Sequence, residues 1–106
     1  MLADKVAAII ELCLPEAKTF LDYGGGYGML VRMLRDAGLP FEWYDKYCTN
    51  LFAKGQEKRQ AHYDVVTAFE LFEHLPRPHE EIAALCELGE NVLFTTQLST
   101  TPPQES

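Results

Sequence analysis

The 106-residue sequence is poor in cysteine: Cys13, Cys48 and Cys86 lie far apart and form no C-x-x-C pair. Their number and spacing argue against a disulfide framework or a zinc site and favour a reducing, cytoplasmic location. Long apolar runs are also missing, since no stretch approaches the roughly 18 residues that span a bilayer. Because Asp4 and Glu11 interrupt the apolar N-terminus, that segment predicts an amphipathic helix rather than a signal peptide.

Basic residues are few, with nine Lys and Arg against 16 Asp and Glu and a formal net charge of −7. Nucleic-acid backbones repel such a surface, and the one short basic stretch, residues 54–60, is typical of a solvated turn. We therefore expect no nucleic-acid and no membrane partner. The length and the 47% hydrophobic content fit one globular domain over residues 1–98, followed by a polar, Pro-rich tail at 99–106.

Apolar periodicity and Gly or Pro breaks divide the chain into alternating helices and strands. The predicted helices cover residues 2–14, 27–38 and 77–89, with a short one at 50–54, and the predicted strands cover 18–23, 40–47, 63–71 and 90–98. This order predicts an α/β fold, a Rossmann-like open and mostly parallel sheet with helices on both faces. Ligands of such sheets bind beyond the carboxyl ends of the strands. Asp22, Asp45 and Glu70 all fall at predicted strand ends.

The turn after the first strand contains four glycines within "FLDYGGGYGML". Its pattern is D-x-G-x-G-x-G, formed by Asp22, Gly24, Gly26 and Gly28, with Gly25 as an addition that the pattern does not explain. A triphosphate-binding loop is excluded because no Lys-Ser or Lys-Thr follows. A dinucleotide loop is disfavoured because Met29 stands where its third small residue would be. The carboxylate of Asp22 favours a ligand with a positive group.

Three segments in this order resemble the class I S-adenosylmethionine-dependent methyltransferases. The first is "LDYGGGYG". The second is "FEWYDKY", whose acid Asp45 lies about twenty residues later. The third is "YDVVTAFELFEHLPRP" with its E-H-L-x-x-P element. The resemblance covers roughly residues 18–98 and is nearest to the small-molecule type of methyltransferase. It implies an enzyme that uses S-adenosylmethionine and a small-molecule substrate. A non-catalytic binding module that kept the fold stays open, and a nicotinamide-dependent oxidoreductase is less favoured.

The resemblance also assigns roles to residues. It implies that Asp22 serves the cofactor's ammonium group and that Asp45 accepts the ribose hydroxyls, while the glycine turn packs against methionine and ribose. The predicted cofactor-binding residues are Asp22, Tyr23, Gly24, Gly26, Tyr27, Gly28, Asp45, Lys46, Phe69 and Glu70. A base is needed only if the acceptor must lose a proton, and the candidates are Glu70, Glu73 and His74. No metal site is expected, because "HEEI" lacks the second histidine of H-E-x-x-H.

The sequence departs from the family pattern in two places. Residues 46–62 are compressed, whereas family members usually place a helix, a third strand and an adenine-contacting acidic loop there. The chain also ends soon after its fourth predicted strand, where the family continues into further helices and an antiparallel strand pair. We therefore expect the cofactor-binding portion of a methyltransferase, truncated after the fifth family strand. Its last strand would be an exposed edge, which favours homo-oligomers.

Overall fold

A computed structural model describes residues 2–69 and 78–95. The elements follow one another as α1 (Leu2–Cys13), β1 (Phe20–Tyr23), α2 (Met29–Asp36), β2 (Phe41–Tyr44), β3 (Tyr63–Phe69), α3 (Pro78–Leu88) and β4 (Gly89–Thr95). All strand pairs are parallel, and the strand order is β2-β1-β3-β4. The predicted Rossmann-like α/β fold is confirmed. No helix in the described residues is long and apolar enough to cross a membrane.

The strand order creates a switch point between β1 and β3. The chain leaves β1 to form β2 on one side and then returns past β1 to form β3 on the other. Open α/β sheets bind ligands in the crevice at such a point, beyond the carboxyl ends of the strands. Asp22 and Thr67 are register partners on the two strands that flank it. The topology therefore places Asp22 beside the expected ligand crevice.

The sheet buries a hydrophobic cluster on each face. One cluster includes Val6, Phe20, Val31, Leu34 and Phe41, with α1 and α2 packed together on that side. The other cluster includes Leu21, Tyr23, Tyr63, Val66 and Leu85, the last from α3. Successive side chains of a strand point to opposite faces, so β1 supplies both clusters in turn. Each fully buried apolar side chain of this size contributes about 1.5–3 kcal/mol to folding.

Carboxylates mark the limits of the first two strands, which are shorter than predicted. Before β1, Asp64 accepts the backbone N–H groups of Lys18 and Thr19 at 2.7 and 3.2 Å. After β2, Asp45 accepts those of residues 47–48 at 2.7 and 3.0 Å. These side chains satisfy backbone donors that would otherwise pair along a strand. The strands therefore cover 20–23 and 41–44 rather than 18–23 and 40–47.

The predicted short helix at residues 50–54 is wrong. Asn50 is buried, and its side chain accepts the N–H of Ala53 at 2.9 Å and donates to the Ala53 carbonyl at 2.8 Å. The same amide donates to Glu57 at 2.8 Å. Because Asn50 takes the backbone groups that a helix would pair internally, the segment forms a bend and a turn instead.

Residues 56–60 form a strap along the outer edge of β2. Trp43 donates its backbone N–H to the Gln56 carbonyl at 2.8 Å and accepts the N–H of Lys58 at 2.9 Å. The contact amounts to an isolated parallel bridge between Trp43 and Glu57. The compressed region thus covers the edge of β2 without forming a full third strand there.

A buried phenol fixes the strap to the sheet. The Tyr63 hydroxyl donates to the Glu42 carboxylate and accepts the backbone N–H groups of Arg59 and Gln60 at 3.1 and 3.0 Å. Burial, reinforced by Glu42, raises the pKa of Tyr63. The phenol therefore stays protonated at neutral pH and serves as donor and acceptor at once.

Replacing Tyr63 with Phe should destabilise the fold by about 1–3 kcal/mol, because the change leaves buried polar partners of the hydroxyl unsatisfied. Urea unfolding followed by circular dichroism measures the loss. Tyr47→Phe is the matched control, since the Tyr47 side chain is exposed. Equal midpoints for the two variants would show that the phenol does not anchor the strap.

Candidate functional site

The glycine turn closes onto the end of β2. Gly24, Gly26 and Gly28 have φ values of 75, 61 and 95°, in the left-handed region that other residues rarely adopt. The N–H groups of Gly24 and Gly25 both donate to the Tyr44 carbonyl, at 2.7 and 2.9 Å. The turn is therefore a fixed backbone loop joined to two adjacent strand ends.

Gly25 is required by space rather than by conformation. It is absent from the glycines with positive φ, but a Cβ added there would lie 2.7 Å from Cδ1 of Trp43. The same atom would lie 3.3 Å from the Asp22 carbonyl oxygen. Trp43 is held in place because its indole N–H donates to the Gly26 carbonyl at 2.9 Å. The fourth glycine thus lets the indole ring pack directly on the turn.

The compressed region supports the turn from its other side. A Cβ at Gly28 would lie 2.8 Å from Oδ1 of Asn50 and 3.0 Å from the backbone nitrogen of Ala53. The carbonyl of Tyr27 accepts the N–H groups of residues 51–52, both at 2.9 Å. Tyr27 itself remains 58% exposed. Residues 50–53 therefore brace the turn, although they were expected to form a separate helix.

Helix α2 presents uncapped backbone donors beside this turn. It begins directly after Gly28, which provides no side-chain cap, and its first internal hydrogen bond runs from the Arg32 N–H to the Gly28 carbonyl at 3.0 Å. The first-turn N–H groups of a helix lack intrahelical partners and carry partial positive charge. The start of α2 therefore suits an anionic group.

Asp22 is a buried carboxyl at the switch point, with 3% of its surface exposed. Its Oδ1 accepts the Thr67 hydroxyl at 2.6 Å, and its Oδ2 has no hydrogen-bond partner among the described residues. Burial raises the pKa of Asp22 to about 7, Thr67 partly offsets that rise and the nearby Asp45 adds to it. A carboxyl with these properties suits a cationic ligand group, which would restore the lost solvation.

Asp45 joins the ends of β1 and β2. Its Oδ2 accepts the Gly26 N–H at 2.8 Å, and its Oδ1 accepts the N–H groups of residues 47–48. Because an ionised carboxylate offers about four acceptor positions, these three bonds leave room for about one more donor. Ribose binding by Asp45 stays a prediction, and the structure adds a role in shaping the turn.

Tyr23 and Lys46 meet at a residue that the sequence analysis missed. The Tyr23 hydroxyl donates to Oε1 of Glu81 at 2.6 Å, and the Lys46 ammonium donates to Oε2 at 2.7 Å. These three side chains, together with Gly24 and Asp45, line a narrow cleft of about 10 Å³. The sequence does indicate that Glu81 lies on the buried face of its helix, because the apolar residues 85 and 88 follow it at helical spacing.

The remaining predicted residues divide into two groups. Phe69, at the end of β3, is half-buried and packs against the hydrophobic cluster beneath α1 and α2. Glu70, Glu73 and His74 lie outside the described residues. Within residues 2–69 and 78–95, no group of three or more His, Cys, Asp or Glu side chains could hold a metal ion. The predicted residues that the structure gathers at one edge are Asp22, Tyr23, Gly24, Gly26, Tyr27, Gly28, Asp45 and Lys46.

A family model described as a methyltransferase domain matches residues 2–105. The chain belongs to this methyltransferase family. The resemblance to class I methyltransferases drawn from the motifs is thereby confirmed, and the match includes the compressed region and the glycine turn. No solved structure matches the methyltransferase domain significantly.

Replacing Gly25 with Ala should destabilise the methyltransferase domain by about 1–3 kcal/mol, the usual cost of overpacking. The added methyl group would contact the Trp43 ring far inside normal separations. Urea unfolding of Gly25→Ala, Trp43→Leu and the double variant forms the test. The Ala substitution should cost less when Trp43 is absent, and strictly additive losses would contradict the steric explanation.

Asp22 should make the stability of the domain depend on pH. Its folded pKa of about 7 lies above the ordinary aspartate value of 3.8, so ionisation disfavours the folded state and stability falls as pH rises through that interval. The free energy of unfolding of Asp22→Asn, relative to that of wild type, should rise by up to about 4 kcal/mol between pH 4 and pH 8. Urea unfolding across this range measures the difference, with the exposed Asp36→Asn as control. A pH-independent difference would contradict the assignment.

Proposed function

We propose that this methyltransferase domain binds S-adenosylmethionine at the carboxyl edge of β1, β2 and β3 and transfers its methyl group to a small-molecule acceptor. One observation carries the proposal: the buried Asp22 carboxyl and the uncapped start of α2 lie at the two ends of the same glycine turn. The first suits an ammonium group and the second a carboxylate. Together they match the two charged groups of an α-amino acid, which is the methionine portion of the cofactor.

The neighbouring residues fit the rest of the cofactor. The remaining acceptor position of Asp45 suits a ribose hydroxyl, as acids after the second strand do in related nucleotide-binding folds. A Cβ added at Gly26 would meet no atom within 4 Å, so the backbone there faces open space and a ligand can approach it closely. Phe69 ends β3 across the switch point, and an aromatic ring near a sulfonium is favourable.

Methyl transfer requires little covalent catalysis from the protein. S-adenosylmethionine supplies an activated methyl group on its sulfonium, so the chain's residues need chiefly to bind and orient the two reactants. A base is required only for acceptors that lose a proton, and Glu70, Glu73 and His74 remain the predicted candidates. The net charge of −7 supports a small molecule over a nucleic acid as the acceptor.

Isothermal titration calorimetry with S-adenosylmethionine and S-adenosylhomocysteine tests the proposal. We expect measurable binding of both ligands, because both contain the amino-acid and ribose groups that the edge fits. If neither ligand binds at millimolar concentration, the proposal of a cofactor site is overturned. Methylation of any acceptor by the domain would exclude the non-catalytic alternative.

Replacing Asp45 with Ala should weaken S-adenosylmethionine binding by about 1–3 kcal/mol, since charge-assisted hydrogen bonds are lost. Because this change also loosens the turn, Asp45→Asn is the companion variant, which keeps one acceptor oxygen for the amides of residues 47–48. Asp36→Ala, at the exposed end of α2, is the control. Unchanged affinity in a folded Asp45→Ala protein would show that Asp45 does not bind the cofactor.

A further inference from the structure

Glu81 is a buried acid on the inner face of α3. It is 9% exposed, whereas the next residue, Ile82, is an exposed apolar side chain. A buried carboxylate costs free energy unless it is paired and hydrogen-bonded. Both oxygens of Glu81 are satisfied, and the donors are two residues of the candidate cofactor site, Tyr23 and Lys46. The helix thus contributes a charge to the site without belonging to any of its motifs.

The ion pair with Glu81 changes the charge that Lys46 presents to the candidate cofactor site. Lys46 directly follows Asp45 and lines the same narrow cleft as Gly24 and Asp45, at the edge where the cofactor is proposed to bind, and its side chain is 43% exposed. An unpaired ammonium there would attract phosphate groups and repel a sulfonium. The ion pair with Glu81, at 2.7 Å, opposes that charge.

Tyr23 determines which way the Glu81 carboxylate faces. Its hydroxyl holds Oε1 at 2.6 Å, which leaves Oε2 directed at Lys46. The hydrogen bond from Lys46, together with that from Tyr23, lowers the pKa of Glu81, and Glu81 raises the pKa of Lys46. Burial, reinforced by Glu81, raises the pKa of Tyr23. At neutral pH the cluster therefore contains one carboxylate, one ammonium and one neutral phenol.

We propose that Glu81 is a positioning residue that sets the charge preference of the cofactor site. By pairing with Lys46, it favours S-adenosylmethionine over S-adenosylhomocysteine, which lacks the sulfonium charge, and over anionic adenine nucleotides. This inference rests on the proposed function, because it concerns selectivity among ligands of that same site.

The test compares ligand affinities of wild type and Glu81→Gln by isothermal titration calorimetry. Glutamine keeps the shape and an acceptor for the Tyr23 hydroxyl but removes the charge that balances Lys46. The preference for S-adenosylmethionine over S-adenosylhomocysteine should fall about two- to fivefold, the range for one solvent-accessible charge pair. Binding of ADP, the anionic probe, should strengthen. Glu11→Gln makes the same charge change at an exposed position of α1, on the other face of the sheet, and should leave the preference unchanged.

Variants of Lys46 separate charge masking from a merely structural role. The double variant Lys46→Gln/Glu81→Gln should recover the wild-type preference, because no unpaired ammonium remains. Lys46→Gln alone leaves the Glu81 carboxylate unpaired, so the preference should rise, and this exposed position can be tested even if Glu81→Gln does not fold.

The outcomes distinguish this inference from the proposed function. Equal weakening of both cofactor ligands by Glu81→Gln, or an unchanged preference in Lys46→Gln, would overturn the role of Glu81 while leaving cofactor binding intact. Failure of the wild-type protein to bind either ligand would overturn both proposals together.

Discussion

The arrangement of the site depends on the junction between the ends of β1 and β2. The Tyr44 carbonyl takes the amides of Gly24 and Gly25, and the Asp45 carboxylate takes that of Gly26. These bonds draw the backbone of the turn onto the neighbouring strand. Glycine is needed there for the left-handed φ values of Gly24 and Gly26 and for the close approach of Trp43 to Gly25. These hydrogen bonds between the turn and β2 fix the point where α2 begins and hold the Asp45 carboxylate against the turn.

The features that the sequence predicted correctly are local ones. Alternating helices and strands follow from apolar periodicity, and the turn follows from its glycine spacing, so the fold could be predicted from the sequence. Most of the clustered residues were predicted through the resemblance to the methyltransferases. The helix at 50–54 failed because Asn50 bonds the backbone of Ala53, a competition that helix propensity alone does not reveal. Gly25 stayed unexplained because its reason is the ring of Trp43 on the next strand.

Glu81 shows a different limit of sequence reasoning. Its spacing from Leu85 and Leu88 places it on the buried face of α3, but acids are rarely buried without partners. Those partners come from the ends of β1 and β2, which the topology brings together only after the sheet has formed. Helical periodicity could therefore indicate that Glu81 lies on the buried face of α3. The contacts with Tyr23 and Lys46 that compensate its buried charge could be identified only from the three-dimensional structure.

The charges at this edge are suited to a cationic ligand group. Asp22 is desolvated enough to raise its pKa to about 7, and the negative charge of Asp45 adds to that cost. Lys46 pairs with Glu81 rather than with Asp22. A ligand that brings a positive group to Asp22 recovers the free energy that burial removed, which is a gain made only in the bound state. The fold thus carries an electrostatic cost that the proposed cofactor is suited to offset.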